Sequence, residues 1–338
     1  MPPKKKVATG YKFAEPLPKG TVLTDGAKQS WKLGASIGKG GFGDIYEARK
    51  DGTRGASYPY IVKIEPHANG PLFVEINFYI RHGKPADVEA YKKAKKLQTL
   101  GIPLYYGSGS HDFKGEKYRF LVTDKFSRDL HTVFQEHQAF HSGTVFNIAI
   151  QLLDALEYIH STGYVHADIK GANILLGIPE GKLDKQVYLM DFGLVTKFTT
   201  QSTFKPNPKK AHDGTIEFLS RDAHQGVPTR RGDLENLAYV LIQWLGGTLP
   251  WEDNLSDPKT VQKSKEKHMS SAKEMVKACF GSKPHPKAIS TYITYVLSMD
   301  FDTPPDYKKV RSIFESGLKE ARERVGAPLT FHTSLTPT

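Results

Sequence analysis

Over the first third of the chain, apolar and polar residues alternate in short runs, and beyond about residue 125 the apolar positions recur every three or four residues. Trp31–Ile37, Ile45–Ala48, Tyr60–Ile64 and Tyr118–Val122 carry the two-residue period of half-buried strands. Val145, Ile148, Ala149, Leu152, Leu153, Leu156 and Ile159 fall on one face of a helix, predicted over about Thr144 to Ser161. Leu234, Leu237, Ala238, Leu241, Trp244 and Leu245 predict a second helix over about Asp233 to Leu245. The pattern therefore predicts an α+β chain: a smaller β-rich unit over about 21–124, then a larger, mostly helical one over about 125–325. Residues 1–20, rich in proline and lysine, and 326–338, rich in threonine and proline, lack either period and read as flexible tails.

Composition narrows this little. The length of 338 residues suits two units at roughly 150 residues per domain. With 38% apolar and 25% charged residues, a sizeable core can form. The single cysteine, Cys279, precludes an internal disulfide and suits a reducing compartment, cytoplasm or nucleus; it reads as a small packed hydrophobe. Lys4, Lys5 and Lys6 have no apolar stretch behind them and so do not open a secretory signal. The most apolar long segment, Val145–Ile159, is interrupted by Asn147, Gln151, Asp154 and Glu157, so no membrane span is expected. A formal net charge of +11 favours acidic partners without choosing among protein, nucleic acid and anionic lipid.

The candidate chemistry begins at Gly38-Lys39-Gly40-Gly41-Phe42-Gly43, a G-x-G-x-x-G. A dinucleotide-binding fold would open a helix at the third glycine. Here Asp44-Ile45-Tyr46-Glu47-Ala48 alternates as a strand, which suits a hairpin tip whose backbone N–H groups approach a triphosphate. On this motif alone a dinucleotide fold and a plain glycine hairpin stay open. Lys63, inside the apolar run Ile61-Val62-Lys63-Ile64, needs an anion unless it snorkels to solvent. ATP α- and β-phosphates would supply one. Glu75 on a following helix is the candidate to hold the ammonium, with Glu65 the competitor.

The decisive segment is His166-Ala167-Asp168-Ile169-Lys170-Gly171-Ala172-Asn173, which resembles the H-x-D-x-K-x-x-N catalytic loop of protein kinases. In that reading Asp168 accepts the proton of a substrate hydroxyl, Lys170 stabilises the transferring phosphoryl group, and Asn173 holds Mg²⁺. Asp191-Phe192-Gly193 supplies a second oxygen ligand, Asp191, for the same hard cation. The lysine two places after the aspartate resembles the serine/threonine-specific group.

Over about residues 31–320 the chain resembles the eukaryotic protein kinases. More closely it is similar to the vaccinia-related kinase family, a relative of the casein kinase one group. Asn69–Phe73, Gly101–Pro103, Leu156–His160, Asp213–Phe218, Asp222–His224, Arg230–Glu235 and Leu249–Leu255 carry that resemblance. It implies a bilobal protein-kinase fold, MgATP, serine or threonine acceptors on proteins, a monomer, and substrates among chromatin or nuclear-envelope proteins. It also makes Leu121–Phe126 the hinge, with backbone groups near Asp124 and Phe126 on the adenine and Thr123 lining its pocket, where a small residue leaves room for bulky inhibitors. Ile37, Gly38, Gly40, Gly41, Phe42, Gly43 and Ile45 would cover the nucleotide.

There are two departures from the common kinase pattern. Ala167 replaces the usual arginine that reads a phosphorylated activation loop, which implies activity without such phosphorylation. The A-P-E triplet is absent, as in the closer relatives. Many of those relatives read D-Y-G where this chain has Phe192. Lys92–Lys96 read as a solvated helix face, and Lys205–Lys210 as a segment that could favour acidic or DNA-bound substrates. Lys4–Lys6 could serve nuclear import or only solvate a tail. A partner-binding pseudokinase and a small-molecule phosphotransferase remain alternatives. The first would lose the glycines, the base or the metal aspartate; the second usually lacks counterparts of Lys170 and D-F-G.

Overall fold

The computed structural model describes residues 14–39, 43–178 and 185–331. Gly40, Gly41 and Phe42 of the glycine loop, and Lys4–Lys6, lie outside the described residues. The chain forms two compact units. The first takes the chain up to Gln98, Ile102–Phe126 and the short segment Asp191–Gly193; the second takes Thr99–Gly101, Ser127–Met190 and the chain from Leu194 onward.

In the first unit, strands β1 (Val22–Thr24), β2 (Ser30–Lys39), β3 (Asp44–Lys50), β4 (Tyr60–Pro66), β5 (Tyr105–Phe113) and β6 (Glu116–Asp124) form an antiparallel sheet in the order β1-β2-β3-β4-β6-β5. Side chains alternate between its faces. Tyr46, Ala48, Val62, Ile64, Tyr118, Phe120 and Val122 line one face and close a core with Leu23, Trp31 and Leu33. Each such burial contributes about 1.5–3 kcal/mol for a large apolar side chain. Ile45 pairs with Lys63, and Lys63 with Leu121, so these side chains and Thr123 share the opposite face. Ala14 and Leu17, inside the stretch expected to be a flexible tail, are buried on the core, and the Leu17 amide donates to the Tyr46 hydroxyl at 2.9 Å. Two isolated apolar residues carry no period, which is why the sequence does not announce them.

Helix α1 (Pro71–His82) starts with proline in its first turn, where no N–H is needed. The Leu72 amide donates to the Glu65 carboxylate at 3.0 Å, so Glu65 serves the helix N-terminus. Leu72, Glu75, Phe78 and Tyr79 form its buried stripe. Helix α2 (Pro85–Lys95) buries only Val88, leaving its lysines on the expected solvated face.

The second unit is built on α4 (Ser142–Ser161) and α6 (Arg230–Trp244), each buried along most of its length. Around them lie α3 (Leu130–His137), α5 (Arg221–His224), α7 (Pro258–His268), α8 (Ala272–Phe280), α9 (Lys287–Leu297) and α10 (Tyr307–Glu320). Short strand pairs β7 (Tyr164–Val165) with β10 (Thr196–Lys197), and β8 (Ile174–Leu176) with β9 (Val187–Leu189), bracket the loop that holds Asp168.

Polar positions in α4 meet the end of the chain. Asn147 accepts from the Gly326 amide at 2.8 Å and donates to the Arg324 carbonyl at 3.1 Å, while the Thr144 hydroxyl donates to the Thr330 carbonyl at 2.8 Å. Residues 326–331, expected to open a flexible tail, are thus packed, with the Phe331 ring 5.0 Å from that of Phe140. Among the described residues no helix is long and apolar enough to cross a membrane. Cys279 is buried, and that burial, with Glu252 nearby, pushes its thiol up to about 12.

Candidate active site

Within the first unit, the Lys63 ammonium lies 2.7 Å from Glu75 and 3.0 Å from Asp191. Burial works against the charge on Lys63, but Asp191 and Glu75 outweigh it and hold its pKa above the ordinary lysine range. Burial also pushes the Glu75 carboxyl up, against the pull of Lys63. The short contacts favour the ionised pair. The Phe192 amide donates to the other Glu75 oxygen at 3.3 Å, and the Phe192 ring stacks on Phe78 at 4.4 Å and meets Tyr79 edge-on at 5.2 Å. Asp191, with φ of 63°, is left-handed, and its side chain stays 43% exposed, so its carboxylate is open to a further ligand.

The two ends of the glycine loop have different reasons for being glycine. A Cβ at Gly43 would lie 1.9 Å from the Ile64 carbonyl oxygen, so the sheet itself requires glycine there. A Cβ at Gly38 would meet nothing within 4 Å among the described residues. Packing leaves that position free for the close approach of a ligand. Ile37 beside it is 49% exposed, Ile45 is half-buried, and Thr123 is buried. The Asp124 carboxylate accepts from the Leu104 amide at 2.8 Å and the Tyr106 hydroxyl at 2.7 Å, a side-chain role that the sequence does not announce. Its backbone pairs with Tyr60.

Within the second unit, the loop from His166 to Asn173 hangs from Asp233 on α6. The buried Asp233 carboxylate accepts from the His166 amide at 2.8 Å, the Ala167 amide at 2.9 Å and the His160 ring at 2.9 Å. Ala167 is held at φ 66°, a left-handed conformation that disfavours any residue with a Cβ. His166 accepts from the Asp168 amide at its Nδ1 (3.3 Å), so its Nε2–H donates to the Met190 carbonyl at 3.0 Å.

Asp168 is then pinned by both oxygens. Oδ1 accepts from the Thr215 amide (3.0 Å) and hydroxyl (2.7 Å), and Oδ2 from Lys170 (2.7 Å) and the Asn173 amide nitrogen (3.1 Å). Lys170 also donates to the Thr215 hydroxyl at 2.7 Å. Because the Asn173 nitrogen is committed to Asp168, its oxygen is the atom it can offer, the donor a hard dication takes. Among the described residues no group of three or more His, Cys, Asp and Glu side chains could hold a metal unaided. A Mg²⁺ that keeps phosphate oxygens and water as most of its ligands needs few protein oxygens; Asp191 in the first unit and Asn173 in the second each carry the kind of hard oxygen donor such a cation takes.

The structure thus brings Lys63, Glu75 and Asp191 together in one unit, and Asp168, Lys170 and Asn173 in the other. Sequence reasoning missed Thr215 and Asp233 as parts of the site. Both stand in segments that carry the family resemblance, Asp213–Phe218 and Arg230–Glu235, but no spacing rule ties them to Asp168.

Comparison with known proteins agrees with this geometry. The family model for the protein kinase domain matches residues 31–301. Nucleosomal histone kinase 1 of Drosophila melanogaster is 48% identical over 322 residues, covering 94% of this chain and 53% of that protein. Serine/threonine-protein kinase VRK2 of Homo sapiens is 41% identical over 317 residues, 93% of this chain and 61% of that protein. The chain therefore spans only about half to three-fifths of these relatives. B1 kinase of vaccinia virus (strain Ankara) is 38% identical, and the match covers 98% of it and 88% of this chain. The solved structure of vaccinia related kinase 3 superposes with a TM-score of 0.81 at 29% identity, over 95% of this chain and 98% of that one. The chain belongs to the protein kinases, with their bilobal α+β fold, and within them to the vaccinia-related kinase family.

Proposed function

We propose that the chain is an active serine/threonine protein kinase that transfers the γ-phosphate of ATP to protein hydroxyls, with Asp168 as the base. The observation that carries this reading is the fixing of both Asp168 oxygens by Thr215, Lys170 and Asn173. A carboxylate offers about four lone-pair positions, and here four donors fill them. A substrate hydroxyl must displace one donor. Lys170 is the one with a better destination, because its ammonium gains more from the γ-phosphoryl oxygens than from a carboxylate already held by Thr215. Its departure frees Oδ2 to accept the serine or threonine proton as the hydroxyl oxygen attacks phosphorus and the bond to the β–γ bridging oxygen breaks. Lys63, held by Glu75, neutralises the α- and β-phosphates. Asp191 and Asn173 would hold Mg²⁺, which would supply positive charge to the polyphosphate. The rest of the work is positioning.

Ala167 offers no guanidinium to a phosphorylated loop, and Asp233 holds the catalytic loop instead, so turnover does not wait for activation-loop phosphorylation. The nucleotide is covered by Ile37, Gly38, Gly40, Gly41, Phe42, Gly43 and Ile45. Backbone near Asp124 and Phe126, with Thr123 behind, takes the adenine. The relative named as a nucleosomal histone kinase supports chromatin proteins as the substrate class and the nucleus as a working compartment. The test is radiolabel transfer from ATP with mixed core histones, casein and small alcohols. Labelled protein that disappears in Asp168→Asn, with ATP affinity retained, is expected. Label only on small alcohols, or none at all, would refute the reading.

A further inference from the structure

We propose that Lys265 is a positioning residue for phosphoryl transfer: it holds the segment Thr215–Leu219 in the shape that presents Thr215 to Asp168. This rests on the reading of Asp168 as the base. The segment belongs to no helix or strand. Two turn bonds, from the Phe218 and Leu219 amides to the Thr215 carbonyl at 3.0 and 2.9 Å, are its internal support. Its remaining carbonyls need partners, since buried backbone acceptors are nearly always satisfied. Side chains from elsewhere supply three of them. Lys265 donates to the Ile216 carbonyl at 2.7 Å and the Leu219 carbonyl at 2.6 Å, and the Trp251 indole donates to the Glu217 carbonyl at 2.8 Å.

Lys265 is fully buried although it stands in a helix whose Lys259, Lys263 and Lys267 are exposed. It shares the inward stripe of α7 with Val261, one turn earlier. Its ammonium lies 5.0 Å from the Trp251 ring centre and 5.2 Å from that of Tyr239, so aromatic faces stabilise the charge where, among the described residues, no carboxylate touches it. The third hydrogen goes to His224 Nε2 at 3.3 Å. Three hydrogens and three acceptors define the proton inventory. His224 keeps Nε2 bare, carries its proton on Nδ1, and donates to His212 Nδ1 at 2.8 Å. Burial, Lys265 and His212 together push His224 down to about 3, which keeps it the neutral acceptor this arrangement needs. Burial pulls Lys265 down to about 7 against Glu235 and Glu217, and the neutral amine formed above that pH still has the two hydrogens that the two carbonyls take. A lysine so placed is not a solubilising residue; it is a clamp on two carbonyls of the turn segment that Thr215 opens.

The test uses the full chain with ATP, mixed core histones and casein, and compares wild type with Lys265→Met, Thr215→Val and the double variant. Lys265→Met keeps the side chain's reach and loses its donors. The expected result is a fall in kcat of tenfold or more, ATP affinity by calorimetry within twofold, and less than twofold further loss when Lys265→Met is added to Thr215→Val. An unchanged kcat, a matching loss of ATP affinity, or losses that multiply would overturn the proposal. If the Met variant does not fold, Lys265→Leu, which also loses the donors, is judged by the same criteria. Failure of both to fold would make Lys265 a folding residue and end the positioning reading. Asp168→Asn is run alongside: if it keeps turnover, the base assignment fails, whatever the Lys265 variants do.

Discussion

Replacing Asp233 by asparagine is the most discriminating perturbation of the catalytic loop, because it removes one negative charge and almost no volume. The carboxylate accepts from the His166 and Ala167 amides and from the His160 ring, all buried. An asparagine oxygen in the Oδ2 position keeps His166 and His160, and its NH₂ then faces the Ala167 N–H across 2.9 Å, donor against donor. Hydrogen bonds to a charged group are worth about 1.5–3 kcal/mol each, and a buried donor left without an acceptor loses about as much. With one bond lost and two weakened, the variant should be destabilised by about 3 kcal/mol. At roughly 2–4 °C per kcal/mol for a large domain, the melting temperature should drop by about 6–12 °C.

The catalytic effect should be larger. Ala167 is held at φ 66° by that same bond. A left-handed alanine costs about 1–2 kcal/mol, so once released it rotates back and carries Asp168 with it. A displacement of about 1 Å at a reacting group can lower the rate by roughly a hundredfold. Thermal melts and radiolabel kcat at saturating ATP measure both effects. A variant that melts within about 2 °C of wild type and keeps its kcat would refute the argument that Asp233 sets the loop.

Three further predictions concern buried groups, two in the first unit and one on α6 of the second. Burial pushes the Glu65 carboxyl up to about 7, against the Leu72 N–H, Lys63 and Arg119. The folded state therefore holds this proton more tightly than the unfolded chain, and stability falls as pH rises from the ordinary carboxylate range through about 7. Glu65→Gln, which keeps an oxygen for Leu72, should melt higher than wild type at pH 8 and lose that advantage by pH 5; equal differences at both values would contradict it. The Tyr79 hydroxyl is buried with no hydrogen-bond partner among the described residues, so Tyr79→Phe should raise stability by about 1 kcal/mol, read as a higher melting temperature. Tyr239→Phe, which loses a 2.7 Å bond to Glu235, should do the opposite in the same melts.

What the sequence revealed was what local pattern can carry. Strand alternation located β2, β3, β4 and β6, and helical spacing located α4 and α6 within a few residues. The catalytic loop was readable because its residues lie within one short stretch. The pairing of Lys63 with Glu75 rather than Glu65 was readable from the elements on which they stand. What stayed hidden depends on distant partners. Thr215 reaches Asp168, and Asp233 the His166 and Ala167 amides before it, only after folding, and Lys265 looks like its solvated neighbours because charge pattern alone cannot tell which face of α7 turns inward. Ala14, Leu17 and the stretch to Phe331 lack any period, so their burial comes from the surfaces they meet.

The clasp between α4 and residues 324–330 bears on how this chain can be cut for laboratory use. The family match ends at residue 301 and α10 at Glu320, and either is a tempting place to stop a fragment. Ending there would strip Asn147 and Thr144 of the backbone groups they hold near residues 324–330 and leave those polar groups short of partners. A shortened version would then misbehave for reasons unconnected with catalysis, and its inactivity would say nothing about the chemistry.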